Sequence, residues 1–248
     1  MVDGPVYDGI AREYQASKQL PFRLYIEDHS LLKLLGDHQG NSVLDLACGE
    51  GIYTRKMKRC GARTVLGVDI SPKMIDLAES QEREQPIGCE YVVADVATLG
   101  TLDEFDVVVG VYLLNYAKSA DELARFCEAI SRNLRAGGYF VGINDNPANP
   151  VEKYGLYAKY GFWKTTPSPR TEGTPITYYI RNPDGTEFRF DNYYLAPATY
   201  EAVFQQAGFT DFTWCGPWLA HEGKQRFEEG HWDLFLDHPP MIGMLAHK

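Results

Sequence analysis

Short apolar runs alternate with segments of helical periodicity between residues 41 and 144. The runs are SVLDLA, TVLGVDI, YVVADV, FDVVVGVYLL and YFVGIN, and the helical segments include residues 72–84 and 119–135. Apolar residues stand at consecutive positions in these runs, which is typical of strands buried on both faces. Such strands belong to a parallel sheet covered by helices, so the pattern predicts a doubly wound α/β fold.

The flanking segments follow different patterns. Two helices are predicted over about residues 7–17 and 21–35, and Pro21 is well placed to begin the second. After residue 144 the chain is irregular and rich in proline, and an NPDG turn at 182–185 between two alternating runs predicts a β-hairpin. A helix near 198–207, a strand near 209–215 and a final apolar run, PMIGMLAHK, end the pattern.

Composition and charge narrow the classes of partner. The 248 residues are 44% hydrophobic and carry a formal charge of −10, with acidic and basic residues interleaved. This balance disfavours nucleic acids and anionic membranes, so we expect a small neutral or cationic partner. No targeting segment or membrane span is recognised, and the five cysteines form no CxxC pair. The sequence therefore predicts a cytoplasmic protein with reduced cysteines.

Aromatic residues are concentrated late in the chain. Twenty of the 32 lie between residues 149 and 240. They either fill the core beneath a long insertion or, for a few of them, line a pocket for a flat ligand, and both interpretations stay open at this point.

A glycine-rich loop follows the first predicted strand, with an acid on either side of it. Asp45 precedes the loop, Gly49 and Gly51 lie in it, and Asp69 ends the second strand. A dinucleotide would require the third glycine of GxGxxG, where this chain has Thr54, and its pyrophosphate would be repelled by Asp45. S-adenosylmethionine has no phosphate and carries a sulfonium and an ammonium, so the acid favours that ligand.

These residues resemble the first motif of the class I S-adenosylmethionine-dependent methyltransferases. The segment Asp45-Leu46-Ala47-Cys48-Gly49-Glu50-Gly51 matches it, with Ala47 in place of a common glycine. The resemblance implies that Asp45 orients the amino group of the ligand and that Gly49 and Gly51 admit its amino-acid moiety. It also implies a seven-stranded Rossmann-like sheet whose last strand is antiparallel and lies between the fifth and sixth.

The resemblance assigns roles to residues at the ends of the next three strands. Asp69 would accept both ribose hydroxyls, and Asp95 would accept from the adenine amine. The expected apolar contacts are Ile70 and Met74 on adenine, Val96 beside Asp95, and Val111 and Tyr112 under the methionine portion.

The N-terminal stretch YDGIAREYQASKQLPFR is similar to the YDxxAxxY lid of small-molecule methyltransferases. This similarity implies that Tyr7 and Tyr14 contact the methyl donor or acceptor, with Tyr7 as the catalytic candidate, and that Arg23 pairs with the donor's carboxylate. We therefore predict one domain, with lid helices at 1–36, a cofactor-binding half at 41–144, a substrate cap at 145–195 and C-terminal helices and last strands at 196–248.

Missing motifs exclude several substrate classes. Amino-group DNA methyltransferases have an (N/D)PP(Y/F) motif after the fourth strand, where this chain reads GVYLLNYA. Cytosine-C5 methyltransferases use the cysteine of a Pro-Cys dipeptide, and the sequence contains no such dipeptide. The fourth strand ends without the acid that metal-dependent enzymes need, so no metal is expected, and residues 144–146 are interpreted as a polar rim. A small-molecule substrate remains, with a monomer or a homodimer as the expected assembly.

A finer resemblance points to the toxoflavin-type N-methyltransferases of azapteridine biosynthesis. It rests on the N-terminal pattern, LDLACGEG and the aromatic insertion, and it implies methylation of a ring nitrogen on a flat, electron-poor heterocycle. The candidate substrate contacts are Tyr112, Asn144, Trp163, Tyr178, Tyr179, Tyr194 and Trp218. An O- or C-methyltransferase of secondary metabolism remains an alternative, and a nicotinamide-dependent oxidoreductase and a non-catalytic subunit are remote ones.

Overall fold

A computed structural model describes residues 11–248, and its centre is a seven-stranded sheet. The strand order is β3-β2-β1-β4-β5-β10-β9, and β10 is antiparallel to both of its neighbours. These strands are β1 Ser42–Leu46, β2 Thr64–Asp69, β3 Cys89–Val93, β4 Phe105–Val111, β5 Leu134–Asp145, β9 Asp211–Cys215 and β10 Met241–His247. The doubly wound α/β fold is confirmed, including the place of the last strand.

Helices cover both faces of this sheet. They are α1 Ala11–Ser17, α2 Asp28–Leu35, α3 Ile52–Arg59, α4 Pro72–Glu84, α5 Ala120–Arg132, α6 Pro197–Gln206, α7 His221–Arg226 and α8 Asp233–Asp237. The bounds of α4 agree with the sequence pattern because Ser71 caps the helix through the Met74 amide and Pro72 occupies its first turn. No helix in the described part of the chain is long and apolar enough to cross a bilayer.

Two apolar cores lie on opposite faces of the central strands. Val43 and Val107 belong to one core, whereas their neighbours Leu44 and Val108 belong to the other. Every residue of β1 is buried. This explains the consecutive apolar runs, since both faces of each central strand pack against helices.

A second, antiparallel sheet forms the insertion after β5. Its strands are β6 Phe162–Thr165, β7 Pro175–Arg181 and β8 Glu187–Tyr193. The predicted hairpin is confirmed at residues 182–185, where the Asn182 amide donates to the Thr186 carbonyl. The third strand, β6, and a 3₁₀ helix over Val151–Tyr160 were not predicted. That helix buries Tyr154, Tyr157 and Tyr160, whose spacing of three places them on one side of a 3₁₀ turn.

The N-terminal segment differs from the continuous second helix that its periodicity predicts. Residues Arg23–Glu27 form a π-helical turn that runs directly into α2. Such wide turns inside helices are often found at functional sites. Tyr7 and the start of the first predicted helix lie outside the described residues.

Candidate functional site

The carboxyl ends of β1 and β4 meet at the point where the sheet reverses its strand order. Ala47 directly follows β1 and Tyr112 directly follows β4, and both have φ of +59°. They are the two non-glycine residues within residues 11–248 that adopt this left-handed conformation. Ligands of open α/β sheets bind in the crevice at this switch point, and backbone strain concentrates at such sites.

The two loop glycines have different surroundings. A Cβ built on Gly49, where φ is +56°, would meet no atom within 4 Å, so the loop backbone borders open space there. A Cβ on Gly51 would lie 2.5 Å from the Tyr91 hydroxyl oxygen. Gly49 therefore fits the predicted close approach of a ligand. At Gly51 the position of a side chain is filled by Tyr91, so glycine is needed there for packing, and its contact with the amino-acid moiety stays a prediction.

Asp69 fastens the end of β2 to the glycine loop. Its Oδ2 accepts from the Gly49 amide and its Oδ1 from the Ser71 amide, each at 2.8 Å. Asp69 also lines a groove that contains Gly49. The proposed ribose contact is therefore compatible with this geometry and stays a prediction.

A pocket beside the loop, here called the loop pocket, carries charges of both signs. It is lined by Asp45, Glu50 and Lys18, among others. Asp45 is 1% exposed and accepts from the Thr54 hydroxyl at 2.6 Å. Burial, together with the nearby Asp69 carboxylate, raises the pKa of Asp45 to about 7. The pocket thus presents a carboxyl that would be stabilised in its charged form by a bound cation.

Glu50 and Lys18 complete the charge pattern of the loop pocket. Glu50 is buried, burial raises its pKa, and its Oε1 has no hydrogen-bond partner among the described residues. Lys18 lies within 3.8 Å of a Glu27 oxygen and over the Tyr14 ring. An amino acid moiety has an ammonium and a carboxylate, and this pocket offers partners for both. Sequence reasoning missed Lys18, although its spacing of four residues from Tyr14 places both on one helix face.

Arg23 is paired inside the protein. Its Nη1 lies 3.1 Å from Oε2 of Glu27, and Glu27 also accepts from the hydroxyls of Tyr53 and Tyr112. Burial opposes ionisation of Glu27, but the Arg23 and Lys18 charges and the two hydroxyls hold its pKa below the usual value. Arg23 does not line the loop pocket in the described structure. Lys18 is a cation that does line this pocket, and the pairing of Arg23 with the donor's carboxylate stays a prediction.

A cavity lies between the π-helical turn, the second sheet and the end of β10. We call it the aromatic cavity, and its walls include Tyr14, Phe22, Phe162, Tyr178, Phe190 and Phe235. Tyr14 and Tyr112 line both this cavity and a groove that contains Gly49 and Asp69. The two tyrosines therefore lie at the boundary between the groove and the aromatic cavity.

Of the six aromatic substrate candidates, Tyr112 and Tyr178 line the cavity and four do not. Trp163 and Tyr179 stack on each other with ring centroids 5.2 Å apart, on the face of the second sheet opposite Tyr178. Side chains alternate between the faces of a strand, so neighbouring residues could not both be walls. Tyr194 packs against Arg170, and Trp218 packs against Lys33.

The remaining sequence candidates divide between the groove and other places. Met74 and Val111 line the groove beside Gly49. Asp95 is exposed and accepts from the Ala97 amide, while Ile70 is 50% exposed. Contacts of these two with adenine stay predictions.

Two further candidates are buried outside the groove and the cavity. Val96 belongs to one of the apolar cores. Asn144 donates to the Tyr200 hydroxyl at 3.1 Å and lines neither the groove nor the aromatic cavity.

The polar segment 144–146 is occupied by protein contacts. Asp145 accepts from the buried Lys164 ammonium at 2.8 Å and from the Tyr178 hydroxyl. Asn146 donates to the Pro239 carbonyl. Within residues 11–248 no group of three or more His, Cys, Asp or Glu side chains is arranged to hold a metal ion.

Comparison with known proteins connects this site to a family model. A model described as a methyltransferase domain matches residues 43–138. The ubiquinone biosynthesis O-methyltransferase of Coxiella burnetii is 33% identical over 131 residues, which is 51% of this chain and 51% of that protein. The chain therefore spans about half the length of this curated relative.

Solved structures match the chain over most of its length. An S-adenosylmethionine-dependent methyltransferase from Mesorhizobium loti covers 94% of this chain and 100% of its own, with a TM-score of 0.63 and 19% identity. One from Listeria monocytogenes covers 90% of this chain and 96% of its own, with a TM-score of 0.64 and 22% identity. Residues 43–138 thus match a methyltransferase domain model, and the chain shares the fold of these S-adenosylmethionine-dependent methyltransferases.

Proposed function

We propose that the protein transfers a methyl group from S-adenosylmethionine to a small aromatic metabolite. The observation that carries this proposal is the loop pocket, which is lined by Asp45, Glu50 and Lys18 together with Gly49, whose open side borders it. A pyrophosphate would meet two carboxyl groups there, whereas the amino acid moiety of the methyl donor finds a partner for each of its charges.

The bound donor supplies a methyl group on a positively charged sulfur. In our proposal Asp45 and Glu50 receive its ammonium, Lys18 receives its carboxylate, and Asp69 and Met74 lie along its nucleoside. Val111 and Tyr112 border the methionine portion. These contacts fix the direction of the methyl group, which is the main contribution required for an in-line displacement.

The acceptor would lie in the aromatic cavity, on the other side of Tyr14 and Tyr112. The lone pair of the acceptor atom forms the new bond to the methyl carbon, while the carbon–sulfur bond breaks and leaves its pair on sulfur. A ring N–H then gives up its proton to water. Exclusion of bulk water by Phe22, Phe162 and Phe235 favours this transfer over side reactions.

The favoured acceptor is a ring nitrogen of a flat heterocycle, because stacked aromatic walls suit a planar, electron-poor ring. The second candidate is a phenolic oxygen, which the name of the Coxiella burnetii relative favours. The family match ends at residue 138, before the cap that lines the cavity, so the acceptor is inferred from the cavity. Action as a monomer or homodimer in the cytoplasm, without nucleic acid, remains part of the proposal.

Calorimetric titration with two related ligands tests the donor site. S-adenosylhomocysteine contains the amino acid moiety and 5′-methylthioadenosine lacks it. Lys18→Met should weaken binding of the first about tenfold, as expected for loss of one charge-assisted contact, and leave the second within about twofold. Lys56→Met is the control, since Lys56 pairs with Asp28 and does not line the loop pocket. Equal losses for both ligands, or no binding of either, would contradict the proposed donor site.

Mass spectrometry tests the reaction itself. The protein is incubated with S-adenosylmethionine and matched panels of nitrogen heterocycles, phenols and carbon nucleophiles, and each product is examined for a mass gain of one methyl group. Transfer to heterocycles supports the favoured acceptor, and transfer to phenols alone supports the second candidate. Donor binding without transfer to any panel would count against a small aromatic acceptor.

A further inference from the structure

The aromatic cavity contains two polar side chains that its apolar walls do not require. Arg23 lies on the π-helical turn and Asn192 on β8, and both line the cavity. Asn192 shares its strand face with Phe188 and Phe190, where the alternating pattern would otherwise place another apolar residue.

Each of these side chains has an unsatisfied hydrogen-bonding atom. Asn192 is 2% exposed, and its Oδ1 has no partner among the described residues. Arg23 is 5% exposed, and its Nε lacks a partner in the same part of the chain, although its Nη1 is bound to Glu27. A buried polar atom that has lost its contact with water and gained no partner destabilises the folded protein. Both residues line the same cavity, which indicates that a ligand there supplies the missing partners.

The charge of Arg23 is already compensated. Its guanidinium pairs with the Glu27 carboxylate, and it lies 5.4 Å from the Tyr14 ring centre and 5.9 Å from that of Tyr112. The cavity therefore needs no second anion, and the free Nε–H is suited to a neutral acceptor such as a carbonyl oxygen. The free Oδ1 of Asn192 is suited to an N–H donor.

We propose that Arg23 and Asn192 select acceptors whose ring carries a carbonyl oxygen and an N–H, as in a cyclic amide. Arg23 Nε–H donates to the carbonyl oxygen, and Asn192 Oδ1 accepts from the ring N–H. This inference deepens the proposed function, and it rests on that function only in treating the cavity as the acceptor site. A ring without these groups would leave the two protein atoms unpaired and bind more weakly.

Three probes of similar shape separate the two contacts. 2-Quinolinone has both groups, 1-methyl-2-quinolinone keeps the carbonyl oxygen but lacks the N–H, and quinoline lacks both. Binding is measured by NMR titration with and without S-adenosylhomocysteine. The wild-type protein should bind 2-quinolinone about tenfold more tightly than 1-methyl-2-quinolinone, which corresponds to one buried hydrogen bond. 1-Methyl-2-quinolinone should in turn bind about tenfold more tightly than quinoline.

Two variants assign the preferences to residues. Asn192→Leu is close in shape and should abolish the preference for 2-quinolinone over its N-methyl form. Arg23→Lys keeps a positive charge beside Glu27 but removes Nε–H, and it should abolish the preference for 1-methyl-2-quinolinone over quinoline. Asp191→Asn is the matched control, because Asp191 is the exposed neighbour of Asn192 on the other face of β8.

The outcomes separate this inference from the proposed function. Equal affinity of the three probes for the wild-type protein, or an unchanged N–H preference in Asn192→Leu, overturns the inference even if S-adenosylhomocysteine binds. Loss of S-adenosylhomocysteine binding alone overturns the donor site and leaves the probe preferences intact. If Arg23→Lys does not fold by circular dichroism, the wild-type series and Asn192→Leu still decide the result.

Discussion

The loop pocket and the aromatic cavity lie on opposite sides of Tyr14 and use different physical means. The loop pocket is built around the end of β1 and the glycine loop that follows it, and it presents Asp45, Glu50 and Lys18. The aromatic cavity is built largely from the second sheet and short helices, and its walls are rings. A rigid, charged site suits a ligand that never varies, whereas a ring-lined site in an insertion can be altered without disturbing the sheet.

The largest expected effect on stability concerns a buried ion pair beside the aromatic cavity. Lys164 and Asp145 form a pair whose side chains are 0% and 5% exposed, and Asp145 also receives the hydroxyl of the cavity wall Tyr178. Asp145→Ala leaves a buried ammonium over the Tyr154 ring, so the free energy of unfolding in urea should fall by about 3 to 5 kcal/mol. Adding Lys164→Met should restore more than half of that loss.

An exposed pair in the same sheet provides the comparison. Arg181 and Glu187 are 58% and 49% exposed, so Glu187→Gln should cost less than about 1 kcal/mol. If Asp145→Ala were as mild as Glu187→Gln, the buried pair would not be what attaches the second sheet to β5.

The next effect separates the two loop glycines. Gly51→Ala should lower the free energy of unfolding by about 2 to 4 kcal/mol, since its Cβ overlaps Tyr91 and its φ of +80° is unfavourable for alanine. Gly49→Ala should cost about 1 to 2 kcal/mol, because only the φ penalty applies, yet it should weaken S-adenosylhomocysteine binding more than tenfold.

Tyr91→Phe provides a check on this interpretation. In the Gly51→Ala background this change removes the Tyr91 hydroxyl oxygen, which is the atom nearest to the new Cβ. The double variant should therefore recover part of the unfolding free energy that Gly51→Ala loses. Equal stability losses in the two single variants would show that the open space at Gly49 is not what distinguishes it.

The two regions also differ in how far the sequence predicts them. The acids at the ends of β1, β2 and β3 could be located because consecutive apolar runs define buried parallel strands and their carboxyl ends. The aromatic walls could not be chosen, because Trp163 and Tyr178 differ only in which face of a strand they occupy, and that requires the register of β6 on β7. The positions of Arg23 and Asn192 in the aromatic cavity depend on contacts between distant segments, which periodicity does not report.

A third test uses the acid of the loop pocket. The pKa of Asp45 is raised from 3.8 to about 7, so it is largely protonated in the free protein below pH 7. Binding of an ammonium requires the charged form, and S-adenosylhomocysteine affinity should therefore fall by up to about tenfold for each pH unit below 7. Asp45→Asn should bind more weakly at pH 8 and lose this pH dependence in calorimetric titrations.

The same group has an opposite effect on folding of the free protein. Because the folded state holds the proton more tightly, the unfolded chain binds fewer protons between pH 3.8 and about 7, and the contribution of Asp45 to stability falls as pH rises through that range. A thermal-melting series in which Asp45→Asn and wild type respond identically to pH would rule out this titration. The aromatic cavity should show no such coupling, since the pKa of Tyr178 is raised by burial and by Asp145, so its hydroxyl stays protonated.

The smallest expected effect concerns the residue that joins β1 to the loop. Ala47 has a φ of +59°, a conformation that costs an alanine about 1 to 2 kcal/mol, whereas glycine adopts it freely. Glycine also gains entropy in the unfolded chain, so Ala47→Gly should raise the free energy of unfolding by a net amount of about 0.5 to 1 kcal/mol. Ala94→Gly, at the end of β3, is the control and should lower it. A destabilised Ala47→Gly variant would mean that contacts of the Ala47 methyl group outweigh the backbone strain. The loop pocket would then depend on side-chain packing, as the aromatic cavity does.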